Sequence, residues 1–411
     1  MIKEKSKELY KQTIKWIAIS IILGIIVGLL VGLYNTLLSN ANNFRKEKPW
    51  LIYFLPIAGI LISYIYIKTK RNAYSGENLL KSEVQQAAKD IPFYMIIVSA
   101  LGSLITTFFG GSAGKEGTAI CIGGTIGDNI SRILKVTEEE QKNIVICGVG
   151  SAFGVIYNVP FAGAILGMEL VLKGKFHYQA ILPSLMTSIV ANETYLFLWN
   201  KNISYPEISL GEHNLFLIIK LIILGIIFGV VGIIFNYLLD NSSKVYEYFT
   251  KNPMIKGFIG GIITIILFLL VGDNYNGLGQ NYISNSFLET TNLLDFVWKI
   301  IFTTVALGSV FQGGRGNPIF FVGATLGSAI AIYFNLPLEA VAALGMIGVF
   351  CTMTALPITA VIMFMEYFGS KEIIGIIIII TICYMFSGYY DLITKNKMDR
   401  SKSNLLKGTI K

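Results

Sequence analysis

Long apolar stretches, separated by short polar or glycine-rich segments, make up most of this chain. Several approach or exceed the roughly 20 residues that a helix needs to cross a bilayer. These stretches cover residues 13–38, 50–67, 91–109, 143–172, 179–199, 214–239, 256–271, 296–312, 318–334, 338–367 and 372–388. Only 14% of the residues are charged and the mean hydropathy is +0.63, whereas soluble domains carry about 25% charged residues. Because lipid leaves backbone groups no outside partner, the sequence predicts an all-α polytopic membrane protein. Shorter, glycine-interrupted stretches such as 118–134 predict broken and re-entrant helices.

Basic residues flank both ends of the chain. The lysines before the first apolar run could open a secretory signal, but the run is too long and lacks a small-residue cleavage site, so we expect a retained helix. The tail holds six basic residues against one acid, namely Lys395, Lys397, Arg400, Lys402, Lys407, Lys411 and Asp399. Basic flanks stay cytoplasmic, so both termini are predicted to be cytoplasmic in a multi-pass protein of the cell membrane. These flanks explain the net charge of +8, and we expect no nucleic-acid partner.

Residues that would hold a metal or a nucleotide are sparse. His177 and His213 are the only histidines and lie far apart in the sequence. Lys115 is followed by Glu116 where a nucleotide-binding loop needs Ser or Thr. The cysteines lie in apolar segments without ligand spacing and are predicted to be packing residues: Cys121, Cys147, Cys351 and Cys383. We therefore expect no metal, no cofactor and no nucleotide.

Three segments of the first half recur, in the same order, in the second half. Gly76-Glu77-Asn78-Leu79 matches Gly279-Gln280-Asn281-Tyr282, and a glycine-rich turn follows about 200 residues apart in both halves. Single positions repeat as well: Gly114 and Gly314, Gly123 and Gly323, Thr125 and Thr325, Gly127 and Gly327, Gly148 and Gly345, Phe153 and Phe350, Pro160 and Pro357, Glu169 and Glu366. Three matches in register indicate a duplication. Residues 1–205 and 206–411 are predicted to be the two halves of one transmembrane domain.

Charge predicts that the two halves face opposite ways. The turn at Gly76 lies in a basic setting, whereas residues 257–298 contain no Lys or Arg. The positive-inside rule then places the first turn in the cytoplasm and its counterpart outside. Antiparallel repeats of this kind meet near the bilayer midplane and form a substrate site there.

The repeated glycine turn predicts an anion site. Its first copy reads Gly110-Gly111-Ser112-Ala113-Gly114-Lys115-Glu116-Gly117-Thr118, and its second contains Gly313-Gly314-Arg315-Gly316-Asn317-Pro318. Each copy runs into an apolar helical sequence, so backbone N–H groups at the helix start are left to bind an anion. An acidic side chain among those donors competes with the anion. We therefore predict Glu116 to be a gate that also accepts protons, the alternative being a solvent-facing acid at a helix start.

Further side chains near the two turns are candidates for anion contact. Arg315 either faces the anion or extends to the membrane surface, and Lys115 either attracts anions or offsets Glu116. Asn78 and Asn317 offer amide donors, although Asn78 is equally a turn residue. Phe320 and Phe321 can present positive ring edges, with core packing as the alternative. The backbone candidates are Gly76, Gly114, Gly117, Thr118 and Gly316.

These motifs resemble the CLC family of anion channels and proton-coupled anion antiporters. Gly114-Lys115-Glu116-Gly117-Thr118 is similar to the G-[KR]-E-G-[PT] signature, and Asn158-Val159-Pro160-Phe161-Ala162-Gly163 to N-x-P-x-A-G. The second turn matches G-G-x-x-x-P, and Leu356-Pro357-Ile358-Thr359 through Glu366 looks like A-P-x-T-x-…-E. The resemblance covers roughly residues 14–390. It implies an antiparallel inverted repeat and a homodimer with one pore per subunit.

Within that family the chain looks most like the fluoride branch, with two departures. Ser75-Gly76-Glu77-Asn78-Leu79-Leu80 is closer to the G-N-N-L-I pattern than to G-S-G-I-P. Arg315 and Asn317 stand where fluoride-type antiporters usually place glutamate and threonine, and Ile393 stands where they carry tyrosine. Tyr389 or Tyr390 is a possible inner gate in its place. Leu170 occupies the position of the inner glutamate of proton-coupled chloride antiporters.

Three functions are compatible with these residues. The first is a fluoride exporter that exchanges fluoride for protons, with Glu116 as the gate. The second is a passive, voltage-driven chloride or fluoride channel without proton coupling. The third, an intramembrane enzyme using Ser112 or Ser151, lacks a base on a spanning segment, so we expect the protein not to be an enzyme.

Overall fold

The computed structural model describes residues 2–69, 91–171, 178–200, 203, 205–211 and 214–387. Within these residues the chain forms helices joined by short connections, and the only β-type pairing is an isolated antiparallel bridge between Gly114 and Gly314. The predicted all-α class is confirmed for this part of the chain. The predicted halves 1–205 and 206–411 stay a prediction.

The described residues contain fifteen α-helices. In chain order they are α1 (Ile2–Glu47), α2 (Leu55–Lys68), α3 (Tyr94–Phe108), α4 (Glu116–Ile133), α5 (Glu138–Tyr157), α6 (Pro160–Val171), α7 (Ile181–Trp199), α8 (Leu215–Phe249), α9 (Pro253–Val271), α10 (Gln280–Asn285), α11 (Asp295–Gly308), α12 (Gly316–Phe334), α13 (Leu338–Thr354), α14 (Pro357–Phe368) and α15 (Ile373–Phe386). Short 3-10 helices at Pro49–Phe54 and Tyr178–Ala180 precede α2 and α7.

Six helical stretches of the described residues are long and apolar enough to cross a membrane. They are Tyr10–Glu47, Pro49–Lys68, Tyr178–Trp199, Leu215–Phe249, Pro253–Val271 and Gly316–Phe334. In the last of these, 83% of the apolar window is buried inside the protein, against 22% in Pro253–Val271. Helix α12 is therefore surrounded mostly by protein, whereas most of the apolar surface of α9 is exposed and available for contact with lipid. Five further apolar helices of the described residues have 10–17 residues.

The chain divides into two compact units that do not follow the order of the sequence. The first comprises Met1–Thr36, Glu77–Ile97 and Ala119–Ile203, and the second comprises Leu37–Gly76, Val98–Thr118 and Ser204–Lys411. In the first unit, α5, α6 and α7 pack on one another. In the second, α12 packs on α13, α2 packs on α9, and α8 packs on α11, α13 and α15.

Matched glycines make the same close helix contact within each unit. In the first unit, a Cβ on Gly123 of α4 would lie within 3.0 Å of the carbonyl oxygen of Gly148 in α5. In the second unit, a Cβ on Gly323 of α12 would meet the carbonyl oxygen of Gly345 in α13 in the same way. Only glycine lets two helix backbones approach this closely. The positions that repeat in the sequence therefore repeat in packing as well.

Helix ends repeat in the same way. Asn158 ends α5 in the left-handed conformation with φ 58°, and Ala355 ends α13 with φ 57°. Each is followed two residues later by a proline, Pro160 or Pro357, at the first position of the next helix. Proline is favoured there because its missing N–H has no partner in the first turn. The end of one helix and the start of the next are thus determined by these few residues.

Candidate functional site

The two glycine turns meet in the second unit, as the sequence predicts for an anion site. The Gly114 nitrogen donates to the Gly314 carbonyl at 2.6 Å, and the Gly314 nitrogen donates to the Gly114 carbonyl at 2.8 Å. Helix α4 begins two residues after Gly114, and α12 begins two residues after Gly314. The two helix starts, with their unsatisfied N–H groups, therefore lie next to each other.

The Glu116 carboxylate occupies the space between these helix starts. Its Oε2 accepts a hydrogen bond from the Lys115 nitrogen at 3.0 Å, and its Oε1 accepts one from the nitrogen of Gly316, the first residue of α12. Only 9% of Glu116 is exposed, so it is not a solvent-facing helix cap. A carboxylate at this point fills the position that the helix starts offer to an anion.

Gly314 leaves the room that the carboxylate needs. A Cβ at this position would lie 2.5 Å from Oε2 of Glu116 and closer still to Oε1 and the carboxyl carbon. Real Cβ atoms essentially never approach another atom within 3.0 Å. The absence of a side chain at Gly314 is therefore a direct requirement for the observed position of Glu116.

Each of the two cationic candidates directly precedes one of the two helix starts. Lys115 is 2% exposed, and Arg315 is partly exposed at the N-terminal end of α12. A helix N-terminus carries a partial positive charge, so a cation there is unfavourable unless negative charge is close by. Both cations precede helix starts that face a carboxylate, and this arrangement satisfies that condition.

The remaining candidates on α12 are buried. Asn317 donates its Nδ2 to the carbonyl of Leu278 at 3.5 Å. The ring of Phe320 lies 5.6 Å from that of Phe350, and the ring of Phe321 stacks on Tyr282 at 4.9 Å. Gly117 and Thr118 continue the first turn of α4 as buried residues.

Other predicted site residues are not brought to this place, or lie outside the described part of the chain. Gly76, Asn78, Tyr389, Tyr390 and Ile393 fall in segments that the structure does not describe. Leu170 is buried in α6, which belongs to the first unit. Within the described ranges, no group of three or more His, Cys, Asp or Glu could hold a metal ion, and the four cysteines are buried and unpaired with one another.

Sequence reasoning missed two buried cations near the site, Arg45 and Lys299. Arg45 is 1% exposed and forms an ion pair with Asp273. Lys299 is fully buried, and its Nζ lies 5.2 Å from the centre of the Phe321 ring. A signal was present, because Lys299 is the first basic residue after the long interval 257–298.

Comparison with known proteins identifies the family. The family model described as voltage gated chloride channel matches residues 58–388, most of the chain. The chain belongs to this family. The resemblance to CLC proteins that the motifs indicated is therefore confirmed, and membership places the protein among ion-transport proteins.

Individual relatives cover nearly the whole chain. A chloride/fluoride channel protein of Pseudomonas syringae pv. tomato is 28% identical over 96% of this chain and 89% of its own length. An H(+)/Cl(-) exchange transporter, ClcA of Cronobacter sakazakii, is 23% identical over 79% of this chain and 74% of its own.

Solved structures show the same fold. The crystal structure of a CLC-type fluoride/proton antiporter has a TM-score of 0.88 and 30% identity, and the match covers 92% of this chain and 96% of the other. A slow cyanobacterial Cl-/H+ antiporter has a TM-score of 0.81 at 21% identity, with the same coverage. The predicted CLC-like membrane fold is confirmed.

Proposed function

We propose that this protein exports fluoride across the cell membrane in exchange for protons, with Glu116 as the gate. The observation that carries the proposal is the position of the Glu116 carboxylate, which accepts N–H bonds from both Lys115 and Gly316. An ionised carboxylate is the species that accepts both bonds. A transported anion needs the same donors, so anion and carboxylate exclude each other.

Protonation then couples the two substrates. A neutral carboxyl group is a weaker acceptor than a carboxylate, because charge-assisted hydrogen bonds are roughly twice as strong as neutral ones. Once protonated, Glu116 leaves the helix starts and an anion takes its place. When the anion leaves, the carboxyl group loses its proton, and the resulting carboxylate returns to the helix starts. The helix starts thus bind either the anion or the carboxylate, and exchange requires that Glu116 takes up its proton on the side to which the anion leaves and releases it on the other.

Fluoride is the anion that the surroundings favour. It is small and strongly hydrated, so a site that removes its water must supply several donors. Backbone N–H groups of two helix starts, with the amide of Asn317 beside them, supply donors of that kind. Two relatives support this choice, since one is described as a chloride/fluoride channel protein and one as a fluoride/proton antiporter.

A passive chloride or fluoride channel is the second candidate. Leu170 favours it, because a buried apolar side chain cannot carry protons where the proton-coupled chloride antiporters have a glutamate. Arg315 does not replace a proton carrier either, since a guanidinium does not deprotonate in proteins. In this alternative, Glu116 opens and closes the pore without net proton movement.

The two candidates are separated by recording fluoride, chloride and pH together during efflux from liposomes that hold the purified protein. An exchanger moves protons uphill when fluoride flows out, whereas a channel releases anions only when an ionophore clamps the voltage. We expect Glu116→Gln to abolish proton movement while anion flux persists. Unchanged proton coupling in this variant would remove Glu116 from the gate.

Assembly and orientation belong to the same proposal. We infer a homodimer with one pore per subunit, from the resemblance to the family, and cytoplasmic termini, from the basic flanks. With that orientation the segment 272–294 lies on the extracellular side. Labelling of single introduced cysteines by an impermeant reagent tests the orientation.

A further inference from the structure

Lys299, near the start of α11, is a buried cation that has no acidic partner. Its Nζ donates to the carbonyl oxygens of Tyr275 and Gly277, each at 3.0 Å, and lies over the ring of Phe321. No carboxylate of the described residues forms a salt bridge with it. A buried charge without a counter-charge is costly, and carbonyl dipoles offset only part of that cost. A negative charge close by would offset the remaining cost of keeping Lys299 charged.

The neighbouring acids of the described residues form no ion pair with Lys299. Asp273 pairs with Arg45 and also accepts a hydrogen bond from Asn276 at 3.0 Å. Asp295 is buried, and its two oxygens accept hydrogen bonds from the hydroxyls of Tyr275 and Tyr282 at 2.7 and 2.6 Å. Within the described part of the chain, Arg45 thus has an acidic partner, whereas no ion pair is seen for Lys299.

A short bonded path connects Lys299 to the anion site. The Nζ of Lys299 donates a hydrogen bond to the carbonyl oxygen of Gly277. The carbonyl oxygen of the next residue, Leu278, accepts a hydrogen bond from the Nδ2 of Asn317 at 3.5 Å. Asn317 directly follows Gly316, whose nitrogen binds the Glu116 carboxylate. The unpaired cation is therefore fixed close to the start of α12, where either Glu116 or a transported anion is bound.

We propose that Lys299 sets the anion affinity of the site by its charge, without touching the anion. The site contains a negative charge whenever the Glu116 carboxylate, or the anion that replaces it, is bound. Lys299 is stable in its buried position because this exchanging charge compensates it. In return, its field offsets the loss of hydration that the anion suffers on entry. The inference rests on the proposed anion transport, but not on its coupling to protons.

Three substitutions separate charge from hydrogen bonding. Lys299→Arg keeps both, Lys299→Gln keeps N–H donors for the loop carbonyls without the charge, and Lys299→Met keeps neither. We expect the fluoride concentration that gives half-maximal flux to rise roughly tenfold in the Gln and Met variants, the order of magnitude for loss of one charge interaction inside a protein. Lys299→Arg should remain close to the wild type, and the maximal rate should change less than the half-saturating concentration.

The matched control is Lys371→Met, which removes the same charge from an exposed lysine that pairs with the exposed Glu207 at 3.3 Å. Its half-saturating concentration should equal that of the wild type. Calorimetric titration of the purified protein with fluoride gives the same comparison without transport. If Lys299→Met does not fold, Lys299→Gln decides the question alone.

Two results would overturn the inference. Equal fluoride affinity in wild type and Lys299→Gln would show that the charge is irrelevant, even if Lys299→Met is weakened. An equal loss in Lys371→Met would show that only the net charge matters. If the proposed function itself is wrong, the wild type neither carries nor binds fluoride, and this result differs from both of the results above.

Discussion

Replacing Gly314 by alanine should force the gate open, because the new methyl group needs the space of the Glu116 carboxylate. The added Cβ would lie 2.5 Å from Oε2 and nearer still to Oε1 and the carboxyl carbon, against an ordinary contact of 3.4–4 Å. The atoms that it meets first all belong to the end of the flexible Glu116 side chain. The carboxylate should therefore move away, while the backbone of the two turns stays in place.

The size of the effect follows from the hydrogen bonds that Glu116 gives up. It accepts one bond from the Lys115 nitrogen and one from the Gly316 nitrogen, and a hydrogen bond to a charged group contributes about 1.5–3 kcal/mol. Loss of a single such bond lowers the occupancy of the closed position by roughly tenfold to a hundredfold. Gly314→Ala should thus conduct anions with little or no proton coupling, as Glu116→Ala should.

Paired flux and pH recordings from liposomes test this prediction, and a double-mutant cycle supplies the control. In a Glu116→Ala background the Gly314 substitution has no carboxylate to displace, so it should add little to the change in flux. Retained coupling in Gly314→Ala would refute the steric argument. A large additional effect in the double variant would show that the methyl group acts on the backbone of the turns instead.

Three further substitutions test the surroundings of the site. Arg315→Met should weaken fluoride binding and its dependence on salt; unchanged binding in calorimetry would mean that Arg315 extends to the membrane surface. Gly323→Ala should separate α12 from α13 at the Gly345 carbonyl and cost about 1–3 kcal/mol, seen as a lower midpoint of thermal unfolding; an unaltered midpoint would contradict the close packing. Asp273→Asn leaves the Arg45 charge buried without its partner; because the Asp273 side chain is 33% exposed, the cost should lie below the roughly 3–5 kcal/mol of a fully buried pair, and stability equal to that of the wild type would contradict the ion pair.

Local pattern was enough to predict the helices and the two glycine-rich helix starts. The glycine turns and the apolar runs are both properties of short segments. The repeat added long-range information, because matched positions such as Gly123 and Gly323 were expected to have equivalent surroundings. The close helix contact that each makes in its own unit agrees with that expectation.

The burial and the contacts of Lys299 and Arg45 could not be predicted from local sequence patterns or from the repeat. Arg45 and Asp273 are separated by 228 positions in the sequence, and no periodicity links the end of α1 to the loop after α9. A single basic residue in an apolar stretch also has the same pattern whether it extends to the surface or is buried with a partner. Only the tertiary structure distinguishes these two cases.

The two duplicated turns differ at the position of Glu116. Gly316 is the residue of the second turn that corresponds to Glu116 of the first. A glutamate at both positions would bring two carboxylates to the same pair of helix starts, and two like charges in one site cannot both ionise easily. With glycine at 316, the second turn contributes an accessible N–H group and the first contributes the carboxylate that binds it. A pair of helix starts related by the duplication thereby carries a single carboxylate, which is the arrangement that the proposed gate at Glu116 requires.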